Sequence, residues 1–170
     1  MPKSAIFIVA QNNFQDQELL VPKDVLAKRG FKTVIAAKTR GQAIGKFGAI
    51  VNADLALNEI KAQDFDAVIF VGGHGAYDYF DDLEALKVAQ DFQKAGKITA
   101  AICAGPTILA NAGILIGKTV TGTASQEENI KNRGGDYTGM AVEVDGKVIT
   151  AKGPDAAQEF GEKLAYLMED

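Results

Sequence analysis

The stretch Ile98-Thr99-Ala100-Ala101-Ile102-Cys103-Ala104-Gly105-Pro106-Thr107-Ile108-Leu109-Ala110 decides the fold. Ile98 to Ile102 is a short run without alternation, the pattern of a strand buried on both faces. Pro106 suits the first turn of a helix through Thr107 to Ala110, and Gly113 supplies its stop. A strand therefore turns directly into a helix, with Cys103 at the junction and small neighbours that permit a sharp bend. This is the geometry of a nucleophile elbow, here with only the second half of the Gly-x-nucleophile-x-Gly pattern.

Working outward, Ala5 to Ala10, Thr33 to Ala37 and Ala67 to Val71 read as further buried strands. Helical spacing of Leu19, Pro22, Val25 and Leu26 predicts a helix starting near Leu19, so that Pro22 falls in its first turn. Asp82 caps a helix lined by Leu83, Leu86, Ala89 and Phe92 and stopped by Gly96. Pro154 opens the last helix, whose stripe is Ala157, Phe160, Leu164, Leu167 and Met168. Ser125-x-x-Glu128 reads as a capping box, Asp145-Gly146 as the turn of one hairpin, and Gly41 to Val51 as another. Strands and helices in alternation predict an α/β three-layer sandwich, a mostly parallel sheet with helices on both faces, as one domain over residues 1–170.

Composition excludes several classes. A hydrophobic fraction of 47% with 24% charged residues matches ordinary globular chains. No apolar run approaches the ~18 to 20 residues of a membrane span, and a net charge of −4 without a basic stripe argues against nucleic acid. A single cysteine forms no internal disulfide, and the first apolar run is too short for a signal segment, so a reducing cytoplasm is expected. Gly117-Lys118-Thr119 would end a phosphate loop only with glycine at 112, which is Ala112. Thr119 to Thr123 lies far from the first strand, where a flavin phosphate loop belongs, and no Cys/His cluster exists. No cofactor and no metal are expected.

In such sheets ligands bind beyond the carboxyl ends of the strands, so the segments Gln11 to Glu18, Gly72 to Gly75 and Cys103 to Pro106 should converge. Cys103 reads either as a small buried hydrophobe or as a reactive thiol, and its place before a helix N-terminus favours the second, with a lowered pKa. Glu18 reads as a first-turn acid, solvated or turned toward the elbow. His74, the one histidine, is an exposed loop residue or the base of a Cys-His pair, and the glycines around it offer N–H groups for an oxyanion.

Taken with Phe14-x-Asp16-x-Glu18-Leu19, Pro22, Gly72-Gly73 and Gly153-Pro154, the elbow Ala101-Ile102-Cys103-Ala104-Gly105-Pro106 makes the chain similar, nearly end to end, to the ThiJ/PfpI family. That resemblance implies a flavodoxin-like fold of the class I glutamine amidotransferase-like group and a homodimer or larger assembly. It implies Cys103 as nucleophile, Glu18 as the acid hydrogen-bonded to it, and Gly73 and Ala104 as oxyanion donors. The chain departs from the family at Ala104, where the protease branch has histidine, and at Thr123, where the deglycase branch has one. The function implied is cofactor-independent chemistry on a small-molecule aldehyde such as methylglyoxal, or deglycation of aldehyde adducts, in which a proton shared by Cys103 and Glu18 stays on Glu18. Two alternatives stay open: a redox-sensing or chaperone-like protein whose Cys103 oxidises reversibly, and a peptidase or amidase that needs His74 beside Cys103.

Overall fold

A computed structural model describes residues 2–170. The first half of the chain forms β1 (Ser4–Ile8), β2 (Asn12–Phe14), α1 (Asp16–Lys28), β3 (Lys32–Ala37), β4 (Gly41–Gly45), β5 (Ile50–Ala53), β6 (Leu55–Ala56), β7 (Ala67–Phe70) and α2 (Leu83–Lys94). The second half forms β8 (Ile98–Ile102), α3 (Gly105–Asn111), β9 (Thr119–Val120), α4 (Glu127–Asn132), β10 (Asp136–Tyr137), β11 (Val142–Asp145), β12 (Val148–Ala151) and α5 (Ala157–Met168). No helix among the described residues is long and apolar enough to cross a membrane.

The central sheet has seven strands in the order β11-β12-β8-β7-β1-β3-β6. All its neighbours are parallel except the hairpin β11–β12, where Asp145 pairs with Val148 across the Asp-Gly turn. Alternation along the strands feeds two cores. Ala5, Phe7 and Val9 pack under α1 and α5, and Ile6, Ile8 and Ala10 pack under α2 and α3. This is the three-layer α/β, flavodoxin-like architecture expected. From β1 the chain goes to β3 on one side and later to β7 on the other, so the topological switch lies between β1 and β7.

Local signals explain the helix ends. Asp82 Oδ1 accepts from the N–H groups of Glu84 (2.9 Å) and Ala85 (3.1 Å), and Gly96 takes φ +72° after the last turn of α2. On the opposite face α5 approaches α1 closely at Gly161, where a Cβ would stand 3.0 Å from Pro22 Cα and 3.1 Å from Val25 Cβ.

Two local expectations are corrected. Helix α1 starts at Asp16, not near Leu19, because Gln15 caps it: the Gln15 carboxamide accepts from Glu18 N–H at 3.0 Å. Pro22 therefore sits in the second turn, and the Glu18 carbonyl loses its usual i+4 donor. The Ser125/Glu128 capping box does not form. The chain makes a tight turn over Ala124–Gln126, and Gln126 precedes α4 without capping it. Tertiary contacts take the Gln126 carboxamide instead: its oxygen accepts from Thr107 Oγ1 (2.9 Å) and Asn129 Nδ2 (2.8 Å), and its nitrogen donates to the Tyr77 hydroxyl (3.3 Å).

The predicted β4–β5 hairpin forms, but outside the main sheet, paired to β2. Its tip is tied to the start of α1. The buried Asp16 carboxylate accepts from Phe47 N–H (2.9 Å) and Ala49 N–H (2.8 Å), and Gly45 leaves room for it, since a Cβ there would stand 2.5 Å from the carboxyl carbon. Replacing Asp16 by alanine removes two charge-assisted hydrogen bonds and should destabilise the protein by about 2 kcal/mol in urea unfolding. Exchange of the Phe47 and Ala49 amides should accelerate selectively; unchanged protection would mean that the carboxylate does not hold the tip.

Candidate active site

Cys103 follows the last residue of β8 with φ +63°, a left-handed backbone that a side-chain-bearing residue rarely adopts and that costs about 1 to 3 kcal/mol. The surroundings enforce it. Cys103 N–H donates to Ala151 O (2.9 Å) on β12, and its carbonyl accepts from Thr123 N–H (2.8 Å). Ala104 then caps α3, with Pro106 in the first turn as anticipated.

Glycines let the neighbouring loops close around this residue. A Cβ at Gly72 would strike the Glu18 carboxyl and stand 2.6 Å from Ile102 O and 2.7 Å from Cys103 Cβ. A Cβ at Gly122 would meet the Cys103 carbonyl at 3.2 Å. Gly73 follows with φ +98°, and a Cβ there would lie 2.5 Å from the backbone nitrogen of Gln15. The three segments singled out from the sequence thus meet: Gln15 N–H donates to Gly72 O (3.0 Å), and Gly72 N–H donates to Glu18 Oε1 (3.1 Å).

Glu18 is fully buried despite its place in the first turn of α1. Its second oxygen, Oε2, has no hydrogen-bond partner of ordinary geometry among the described residues, and the polar side chain that acts on the carboxyl is the Cys103 thiol. Burial is the main force on both groups. It pushes the Glu18 carboxyl up to about 7 against the opposing pull of hydrogen bonds to Cys103 and Gly72. It pushes the Cys103 thiol up to about 11, aided by the charge of Glu18, while a hydrogen bond from Thr123 and the Gly73 N–H pull the other way. The lowered cysteine pKa expected from the helix N-terminus is therefore corrected, because desolvation and the adjacent carboxylate outweigh the local dipole. The two groups titrate as a pair whose more acidic member is the Glu18 carboxyl, so the expectation that the shared proton stays on Glu18 is corrected as well: burial and the Glu18 charge make the thiol hold it more tightly.

A cavity of about 340 Å³ opens onto Cys103 and is lined also by Gln15, Glu18, Gly73, Ala104 and Thr123. His74 reaches its mouth but is exposed, makes no hydrogen bond to Cys103, and stands 6.1 Å from the Tyr77 ring. The Cys-His pairing is thus absent. Among the described residues the Ala104 N–H has no backbone acceptor, and no group of His, Cys, Asp and Glu could hold a metal ion. Sequence reading missed Lys46 and Phe47, carried over the cavity by the β4–β5 tip, and Pro154, which also lines it. It noted Thr123 only as a missing histidine. An exposed Lys-Phe-Gly tip signals a turn, and nothing local says which cavity that turn covers.

A model of the DJ-1/PfpI family matches residues 3–167. A protein of Thermococcus kodakarensis that bears the name deglycase is 32% identical over 164 residues, 96% of this chain and 95% of its own length. Among solved structures, a ThiJ/PfpI domain protein from Brachyspira murdochii superposes with a TM-score of 0.97 at 32% identity, covering 99% of this chain and 98% of its own. Drosophila melanogaster DJ-1beta gives 0.90 at 29% identity, covering 99% and 91%.

A carboxyl raised from 4.5 to about 7 binds its proton more tightly in the native state, so its contribution to stability is complete below 4.5 and is lost as pH rises through 7. The shift corresponds to about 3 kcal/mol at most. Urea unfolding across pH 4 to 8 should show this decline in the wild type and not in Glu18→Gln, which should be the more stable protein at pH 8. A wild-type profile that is flat over this interval would place Glu18 in a solvated setting.

Proposed function

The chain belongs to the DJ-1/PfpI family, and from that premise we propose that it is a cofactor-independent cysteine enzyme acting on α-oxoaldehydes such as methylglyoxal and on their adducts with amines or thiols. The observation that carries this reading is the buried Glu18 carboxyl, with Oε2 unpaired, coupled to a thiol at a strained elbow. Aldehyde isomerisation needs those two groups and no third: a nucleophile to hold the substrate, and an acid-base group to move one proton between adjacent carbons.

Once the pair has lost its first proton, the Glu18 carboxylate draws the remaining one from the thiol as sulfur engages the substrate, so that the attacking sulfur carries the negative charge and Glu18 holds the proton. Sulfur adds to the aldehyde carbon, and the new oxyanion lies within the field of the Gly73 and Ala104 N–H groups. Glu18 gives its proton to that oxygen, which yields a neutral hemithioacetal and a carboxylate. The carboxylate removes the hydrogen of the former aldehyde carbon to give an enediolate and returns it to the adjacent carbon, while the hydroxyl proton passes from the first oxygen to the second, leaving a 2-hydroxy thioester. Water then cleaves the C–S bond and releases the hydroxy acid and the thiol, lactate in the case of methylglyoxal. Thr123, hydrogen-bonded to the sulfur, steadies its charge in the position where the deglycase branch has histidine. His74 lines the mouth and contacts the outer part of the substrate. Peptidase chemistry lacks its base, since His74 is exposed and makes no hydrogen bond to Cys103.

The test is lactate formation from methylglyoxal. Cys103→Ser should abolish it with the fold intact, and Glu18→Gln should lower the rate by roughly 10² to 10⁴. The wild-type kcat/KM should rise about tenfold per pH unit below 7 and level off above, because only the singly protonated pair attacks. His74→Ala should alter KM more than kcat. Substantial lactate formation by Cys103→Ser would end the nucleophile assignment.

A further inference from the structure

An α-oxoaldehyde brings two oxygens to the Cys103 cavity. The Gly73 and Ala104 N–H groups serve the oxygen of the carbon that sulfur attacks. The oxygen on the adjacent carbon gains negative charge when Glu18 removes the C–H proton to give the enediolate, so it calls for a donor of its own. Among the polar side chains that line the cavity, those of Lys46, His74, Tyr77 and Ser125 belong to exposed residues. Glu18, Cys103 and Thr123 already act on one another. Gln15 is the one that remains, partly buried at the start of α1.

Its hydrogen bonds fix which way the carboxamide points. Gln15 Oε1 accepts from Glu18 N–H at 3.0 Å, and a backbone N–H can only donate, so the oxygen and not the nitrogen is turned to the helix. The backbone of the residue is held as firmly, since Gln15 N–H donates to Gly72 O (3.0 Å) and a Cβ at Gly73 would stand 2.5 Å from that same nitrogen. Nε2, by contrast, donates to nothing among the described residues. It is not sealed in the core either, because the one buried side-chain polar atom without a partner among those residues is Glu18 Oε2. A pair of unspent N–H donors thus stands open beside the acid that moves the proton. We infer that the Gln15 carboxamide nitrogen holds the second oxygen of the oxoaldehyde and stabilises its charge in the enediolate, so that Gln15 selects aldehydes bearing an adjacent carbonyl. This assignment rests on the reading of the Cys103 cavity as an α-oxoaldehyde site.

The test is reversible capture of Cys103, read in short incubations as protection of the thiol from iodoacetamide. The probes are methylglyoxal and propanal, which has the same carbon chain and no second oxygen. Serine caps a helix well but is too short to reach the cavity, so Gln15→Ser removes the carboxamide and keeps the start of α1. This variant should need about tenfold more methylglyoxal for equal protection, the worth of one hydrogen bond, and no more propanal. In the lactate assay its kcat should fall by about 10², more than KM rises, because charge gathers on the second oxygen only in the enediolate. Gln15→Glu keeps the length and the cap without a donor; it should show the same selective loss, and it decides the matter if the serine variant does not fold. An equal loss for both aldehydes, or unchanged capture of methylglyoxal, overturns the assignment, since a helix cap acts on the thiol whichever aldehyde meets it. Capture requires no turnover. A wild type that makes no lactate while the variants show the selective loss strikes the enzymatic reading alone, and lactate formation without that selectivity strikes the role of Gln15 alone.

Discussion

The arrangement of the site depends on the absence of a side chain at position 72. The Glu18 carboxyl, the Ile102 carbonyl and Cys103 Cβ crowd the volume that a Cβ would take, so the exit of β7, the first turn of α1 and the elbow after β8 approach more closely than any other residue would allow. Gly72 also clasps α1 from both sides, accepting from Gln15 N–H and donating to Glu18. Gln15 in turn caps the helix on which Glu18 rides. One glycine thus sets where the helix begins, which way its acid points and how far the thiol stands from it.

Burying an acid and a thiol together has an electrostatic consequence. Both lose hydration, and the Glu18 charge disfavours the thiolate, which together outweigh the thiol's hydrogen bond to the carboxylate, so the pair keeps protons to higher pH than either group would in water. Reactivity therefore does not come from a simple shift of the thiol toward acid. It comes from a proton that two groups share, in a pocket where Gly73 and Thr123 offset part of the penalty of placing charge on sulfur. The left-handed φ at Cys103 is sustained because both of its backbone hydrogen-bonding groups are engaged.

Beyond this centre, the walls come from parts of the chain with no local connection to it. The hairpin tip is brought over the cavity by Asp16, two residues before Glu18, so the buried acid and the support of the lid-like loop share one helical turn. On the other side Thr123 and Pro154 form a partition between the cavity of the thiol and a larger, charged neighbour. Thr123, which pulls the thiol down through its hydrogen bond, is thus also a residue between the two chambers.

The strands, their burial on both faces, the Asp82 cap, the Asp145-Gly146 hairpin and the elbow at Cys103 were legible in the sequence, because each is specified by residues a few positions apart. Convergence of the three loops was legible too, since it follows from parallel topology. The start of α1 and the unused Ser125/Glu128 box were misread where tertiary partners, the Gln15 cap on Glu18 and the buried bonds of Gln126, displaced the local preference. Local residue patterns fix the layered sheet and place its one thiol at a strand end. That Glu18 is buried, that the thiol is pushed up and not down, and that His74 stands exposed at the mouth follow from the packing of distant segments. Burial and proton affinity depend on what distant segments exclude from water, and no local pattern of residues records that.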